Sequence, residues 1–184
     1  DIVSAYSDNC SIIKSKMTKF LFTDLHTKKY KYISEKGLYI DANSTVLWLK
    51  NLGLLEKDII LYGESLGCGL AVKLSIQDTF KATILESPYT SIADVASSHY
   101  WYLPAKILVL DRFDILSIIK NIKSPLLVIH GEKDNVISIN FGKKVFESAP
   151  EPKKAMFVSH AGHNNLYEFK IYDKIKHFLK ELNK

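Results

Sequence analysis

The chain has 184 residues, 47 % of them apolar, and a formal net charge of +5, which suits one domain with a substantial core. No run approaches the roughly 20 apolar residues of a membrane span, since the longest candidate, "WYLPAKILVL", is interrupted by Pro104 and Lys106. The lysines are scattered along the chain, so the charge reads as a solvated surface, and nucleic acid is not an expected partner.

Residues 1–33 have no clear period; "KFLFTDL" (19–25) is the strand candidate there. From residue 34 two patterns alternate. Leu38, Ala42, Val46 and Leu49 fall at helical spacing and predict a helix over 35–51. "DIILY" (58–62) is a short apolar run, hence a buried strand, and Leu66, Leu70, Ala71 and Leu74 open the next helix. "ATILE" (82–86), "PLLVIH" (125–130) and "AMFV" (155–158) read as further strands. A helix over 138–149, capped by Ser138, separates the last two, and Ile171, Ile175, Phe178 and Leu182 predict a closing helix. Residues 87–124 break this rhythm and read as an insertion of two or three short helices. Its rings (Tyr89, His99, Tyr100, Trp101, Tyr102, Phe113) either wall a pocket or pack the insertion onto the body.

Strands alternating with helices imply a mostly parallel sheet covered by helices on both faces, an α/β fold. In such sheets chemistry collects beyond the carboxyl ends of the strands, so each candidate residue is tested by whether it directly follows a strand.

"LYGESLG" (61–67) passes that test. Ser65 follows a strand and precedes a helix, and Gly63 and Gly67 leave room for the sharp turn that lifts the hydroxyl above the sheet. A serine hydroxyl needs a base to become a nucleophile. His160 and His163 lie in "SHAGHNN" after the last strand; His163 is preferred because it sits nearer the loop tip and Gly162 frees the backbone before it. His130 ends a strand and reads as packed. The base needs an acid to fix its tautomer. Asp134 lies beyond the turn at Gly131, with Glu132 and Glu86 as rivals. The order Ser65, Asp134, His163, each after its own strand, is the order of α/β-hydrolases. Cys10 and Cys68 lack metal-ligand spacing and read as free thiols in a reducing compartment.

The stretches "SEKGLYIDA" (34–42), "LYGESLGCGLA" (61–71), "ESPYTSIADVA" (86–96), "LPAKILVLDRFD" (103–114), "SPLLVIHGEKD" (124–134) and "AGHNNLYEF" (161–169) resemble the α/β-hydrolase superfamily. More narrowly, they resemble the small alpha/beta-hydrolase-domain serine hydrolases, which include membrane-associated protein depalmitoylases and bacterial esterase-like members. The resemblance implies an α/β-hydrolase core over 34–184, with Ser65 as nucleophile, Asp134 as acid, His163 as base and the Leu66 amide as an oxyanion donor. It implies an ester or thioester of a small or acylated substrate, no metal or organic cofactor, and a cytoplasmic protein with peripheral membrane contact.

The chain departs from that family in its first 33 residues. The family carries an early glycine-rich turn that supplies a second oxyanion donor, whereas this chain has no glycine before Gly37; its opening residues, lacking a basic-then-apolar run, are not expected to be a secretory leader. The expectation is a divergent segment whose early strands are missing or replaced, as in a truncated reading frame, with one sheet edge bared. The alternative function is therefore a catalytically impaired or non-catalytic remnant, or a binding module, on the same fold.

Overall fold

The computed structural model describes residues 34–182 and, as backbone alone, the strands β1 (Val3–Tyr6) and β2 (Cys10–Lys16). The strand candidate at 19–25 lies outside the described residues. Four further strands follow: β3 (Ile59–Glu64), β4 (Ala82–Glu86), β5 (Leu126–Gly131) and β6 (Lys153–Val158). They form one sheet in the order β1-β2-β3-β4-β5-β6, with β1 antiparallel to β2 and every later pair parallel. Of the two expectations for the first 33 residues, missing strands or different ones, β1 and β2 accord with the second. Ser11 to Lys16 pair with Ile59 to Glu64, so the edge of β3 is covered.

Successive residues of a strand point to opposite faces, and here both faces are apolar. Ile59, Leu61, Leu85, Leu126 and Val128 enter one core. Ile60, Tyr62, Ile84, Leu127 and Ile129 enter the other. Burying each large aliphatic side chain contributes about 1.5–3 kcal/mol, so these central strands contribute heavily to the stability of the fold. The first face is covered by α1 (Glu35–Asn51), α2 (Gly67–Ser75) and α6 (Ile139–Ser148). The second is covered by α7 (Ile171–Glu181) through Ile171, Ile175 and Phe178. Helices on both faces are as expected.

The helix ends follow their sequence. Ser34 caps α1 by accepting the Gly37 amide at 3.1 Å, and Ser138 caps α6 through the Asn140 amide at 3.4 Å.

The insertion between β4 and β5 contains α3 (Ile92–His99), α4 (Ala105–Leu108) and α5 (Ile115–Ile118). Two of its rings take the second expected use, packing onto the body. Tyr89 and Phe113 are buried against α2, where a β-carbon on Gly69 would come within 2.9 Å of the Tyr89 hydroxyl and 3.0 Å of the Phe113 ring. Tyr100, Trp101 and Tyr102 are exposed, Trp101 at 84 %. They begin an apolar stretch that continues through Leu103, Ile107 and Leu108 to Leu110, itself 89 % exposed. The return of the insertion is tied to α1: the Phe113 amide donates to Glu35 at 3.0 Å, and the Glu35 amide donates to Asp111 at 2.9 Å.

Candidate functional site

Ser65 occupies the corner between β3 and α2. Its φ is 52°, in the left-handed region that a residue with a β-carbon rarely enters. Close packing holds it there. A β-carbon on Gly63 would lie 2.6 Å from the Gly67 carbonyl oxygen and 2.7 Å from the Cys68 α-carbon, so only glycine lets α2 start this near the strand. The Ser65 amide donates to the Glu86 carbonyl of β4 at 2.9 Å, which fixes the corner to the neighbouring strand.

The next peptide sets the direction of the Leu66 amide. The Ser65 carbonyl accepts the Cys68 amide at 2.9 Å and so points into the first turn of α2. In a trans peptide the N–H opposes the C=O. The Leu66 N–H therefore points out of the helix, among the orphan donors of its N-terminal end. Such a donor favours negative charge at the Ser65 oxygen or at an atom bonded to it.

Asp134 and His163 arrive on two loops that are joined to each other. The Glu132 amide donates to the Val158 carbonyl at 3.0 Å, and the Lys133 amide to the Ala161 carbonyl at 2.8 Å. Gly131 makes this approach possible: a β-carbon there would meet the Ala161 carbonyl oxygen at 2.4 Å and that of Gly162 at 2.7 Å. This corrects the sequence reading, which gave Gly162 the conformational freedom. The left-handed residue of that loop is His160, at φ 68°, and the glycine that the packing requires is Gly131.

The three expected side chains meet in a row. His163 Nε2 is 3.2 Å from Ser65 Oγ, and His163 Nδ1 is 2.7 Å from Asp134 Oδ2. An ionised carboxylate accepts only, so Nδ1 carries the proton. Nε2 then presents a lone pair to the serine, whose hydroxyl donates to it. The Asp134 side chain is fully buried, and that of His163 is 12 % exposed. Burial alone would raise the Asp134 pKa. Hydrogen bonds from His130, His163 and the Ile137 amide outweigh it and hold the group well below the usual carboxylate range. The second oxygen, Oδ1, accepts the Val136 and Ile137 amides at 2.9 and 2.8 Å.

The rivals lie elsewhere. Exposed His160 takes no place in the row. Glu132 accepts from Ser159 at 3.3 Å on the surface. Glu86 is buried and accepts the Tyr62 hydroxyl. His130 is packed, as expected, with 0 % exposure, but it also lies 3.3 Å from Asp134 Oδ2, which the sequence reading did not foresee. Cys68 is a buried free thiol, and burial pushes its pKa up, so it is no competing nucleophile. Among the described residues, no three His, Cys, Asp or Glu side chains are grouped to hold a metal ion, and no helix is long and apolar enough to cross a membrane.

No protein-family model matches the chain. An uncharacterized protein of Mycobacterium tuberculosis, Rv2307c, is 36 % identical over 152 residues, covering 80 % of this chain and 54 % of its own length. Alpha/beta hydrolase domain-containing protein 17B of Homo sapiens is 33 % identical over 150 residues, covering 80 % of this chain and 51 % of that protein. The chain thus spans about half the length of the curated relatives it matches. Among solved structures, an acetyl xylan esterase from Paenibacillus sp. R4 superposes with a TM-score of 0.67 at 17 % identity, over 79 % of this chain and 52 % of that one. A monoacylglycerol lipase from Paleococcus ferrophilus gives 0.61 at 18 % identity, over 84 % and 78 %. At these identities the two structures speak to the fold alone.

Proposed function

We propose that this chain, which belongs to the alpha/beta hydrolase family, is a serine hydrolase that cleaves carboxylic esters or thioesters through an acyl-enzyme. The observation that carries the reading is the unbroken row from Asp134 through His163 to Ser65, at 2.7 and 3.2 Å.

In this reading His163 Nε2 takes the hydroxyl proton as Ser65 Oγ bonds to the acyl carbon. The carbonyl π electrons move to oxygen, and the Leu66 N–H stabilises the oxyanion. As the tetrahedral intermediate collapses, the bond to the leaving group breaks, and His163 returns its proton to the departing alcohol or thiol. Water then attacks the acyl-serine with His163 as base. The acid is released, and Ser65 regains its proton. Asp134, ionised and buried, keeps the proton on Nδ1 and steadies the imidazolium between these transfers. The sequence uses side chains, backbone and water only.

The competing reading, an impaired or non-catalytic member of the family, is favoured by the absence of any glycine in residues 1–36. A second oxyanion donor of the glycine-rich kind then has no place in that segment. Loss of one such donor costs about 10²–10³ in turnover. Labelling with a fluorophosphonate probe tests the first reading. Wild type is expected to label at Ser65 alone and Ser65→Ala not at all. An unlabelled wild type, or labelling that survives in Ser65→Ala, overturns it. Labelling without ester turnover gives the impaired reading.

A further inference from the structure

The imidazole of His130 is the feature that this function leaves unused. The ring closes β5, has 0 % exposure and approaches Asp134 Oδ2, the same oxygen that His163 meets. Its Nε2 is 2.9 Å from the Ile137 carbonyl oxygen and 3.3 Å from Asp134 Oδ2. Both neighbours are acceptors, so Nε2 bears the proton; the carbonyl takes the stronger share and the carboxylate a weaker second one. Its Nδ1 is buried without a hydrogen-bond partner. The backbone of α6 closes over that nitrogen, where a β-carbon on Gly142 would come within 2.3 Å of it. A proton on Nδ1 would be a buried donor with no acceptor, which costs free energy, so the surroundings favour the proton on Nε2.

These contacts form a closed circuit. His130 Nε2 holds the Ile137 carbonyl; the Ile137 amide holds Asp134 Oδ1 at 2.8 Å; and Asp134 Oδ2 returns to His130. Both carboxylate oxygens are thereby tied into one loop of contacts, with the Val136 amide a second donor to Oδ1 at 2.9 Å. Oδ2, the oxygen that receives His163 Nδ1, cannot rotate away without breaking the circuit.

We propose that His130 is a positioning residue: it clamps the Asp134 carboxylate, together with the Ile137 backbone, in the rotation that presents Oδ2 to His163. This rests on the assignment of Ser65, His163 and Asp134 above. The ring touches no reacting atom and acts only through the acid, as outer-shell partners orient ligating side chains in metal sites. Because the circuit needs a donor at the place of Nε2, glutamine can supply the function and leucine cannot.

The test compares His130→Leu with His130→Gln by the rate and the end point of fluorophosphonate labelling. A fold defect lowers the fraction of protein that labels. Loss of positioning lowers the rate constant at full stoichiometry. His130→Leu is expected to label completely but about tenfold more slowly, with KM for a short ester unchanged and kcat reduced, and His130→Gln to recover most of the rate. Wild-type speed in His130→Leu, or equal slowing in both variants, overturns the proposal. Should His130→Leu fail to fold, nitrogen-15 imidazole spectra of the wild type decide. A ring whose proton sits on Nε2, with Nδ1 bare, supports the clamp, and a protonated Nδ1 overturns it. These spectra need no turnover. A wild type that fails to label while His130 holds this tautomer sinks the hydrolase assignment and not the clamp.

Discussion

The corner at Ser65 and the insertion at 87–124 both rise from the carboxyl end of the same sheet, and they are built by opposite means. The corner and the two loops facing it are short, and their backbones meet at distances only glycine permits, at Gly63 and Gly131. Their polar groups find partners across strands: the Ser65 amide on Glu86, the Lys133 amide on Ala161. The insertion is long and holds on at its ends. His99 reaches the Val136 carbonyl at 2.7 Å, and Glu35 ties down the return at Asp111 and Phe113. Between these ties, Trp101 and Leu110 are among the most exposed large apolar side chains of the described residues. A rigid scaffold next to a loop with an exposed apolar stretch is a common division of labour in proteins. Here the two are expected to answer to different substitutions.

The largest effect that separates the two regions is expected at Ser65, the proposed nucleophile. Ser65→Ala is expected to lower kcat for an ester by a factor on the order of 10⁴–10⁶ while the fold survives; steady-state turnover alongside circular dichroism checks both halves. A next effect, smaller in rate but visible in stability, is expected of Gly131→Ala. The added methyl pushes the Ala161 carbonyl away and carries the His163 loop with it. The expected cost is about 1–3 kcal/mol in urea unfolding and as much as a hundredfold in turnover if His163 moves by an ångström or so. An active and stable Gly131→Ala would mean that the two loops are not the joined unit the distances describe.

Acid should also act on the corner more than on the insertion. Asp134 is held below the ordinary carboxylate range when folded, so it binds its proton more readily unfolded. The stability it contributes is full above the unfolded value, near ~4, and is lost as pH falls below that. The melting temperature of wild type is expected to drop more steeply below about pH 5 than that of Asp134→Asn, which lacks the titrating group. Parallel curves would remove Asp134 from the acid response. The smallest effect is expected in the insertion: Leu110→Asp should shift stability by no more than about 0.5 kcal/mol, read by the same urea titration. A larger loss would show that this stretch is packed against something and not a free surface.

Much of this was legible in the chain itself. The helix predicted over 35–51 is α1, Glu35–Asn51, because four apolar residues at helical spacing mark it. The strand predicted over 82–86 is β4, Ala82–Glu86, because a run buried on both faces needs no alternation to be seen. Strands β1 and β2 were not legible. "CSIIKSK" offers two adjacent apolar residues and no period, and it is the free edge of β3 that gives such a segment something to pair with. The role of Gly131 was equally hidden, since the carbonyl it must clear belongs to a residue 30 positions away. His130 was read as packed, and it is; that it also holds Asp134 depends on how the turn between them brings the two side chains together.

By itself, then, the sequence determined the alternation of strands and helices, and with it the rule that Ser65, Asp134 and His163 each follow a strand. Apolar periodicity is a local property that survives in one dimension. Which atoms of those residues meet, which glycine lets them meet and which histidine lies against Asp134 were decided only by tertiary structure. These depend on distances between loops far apart in the chain, and local sequence does not encode such distances.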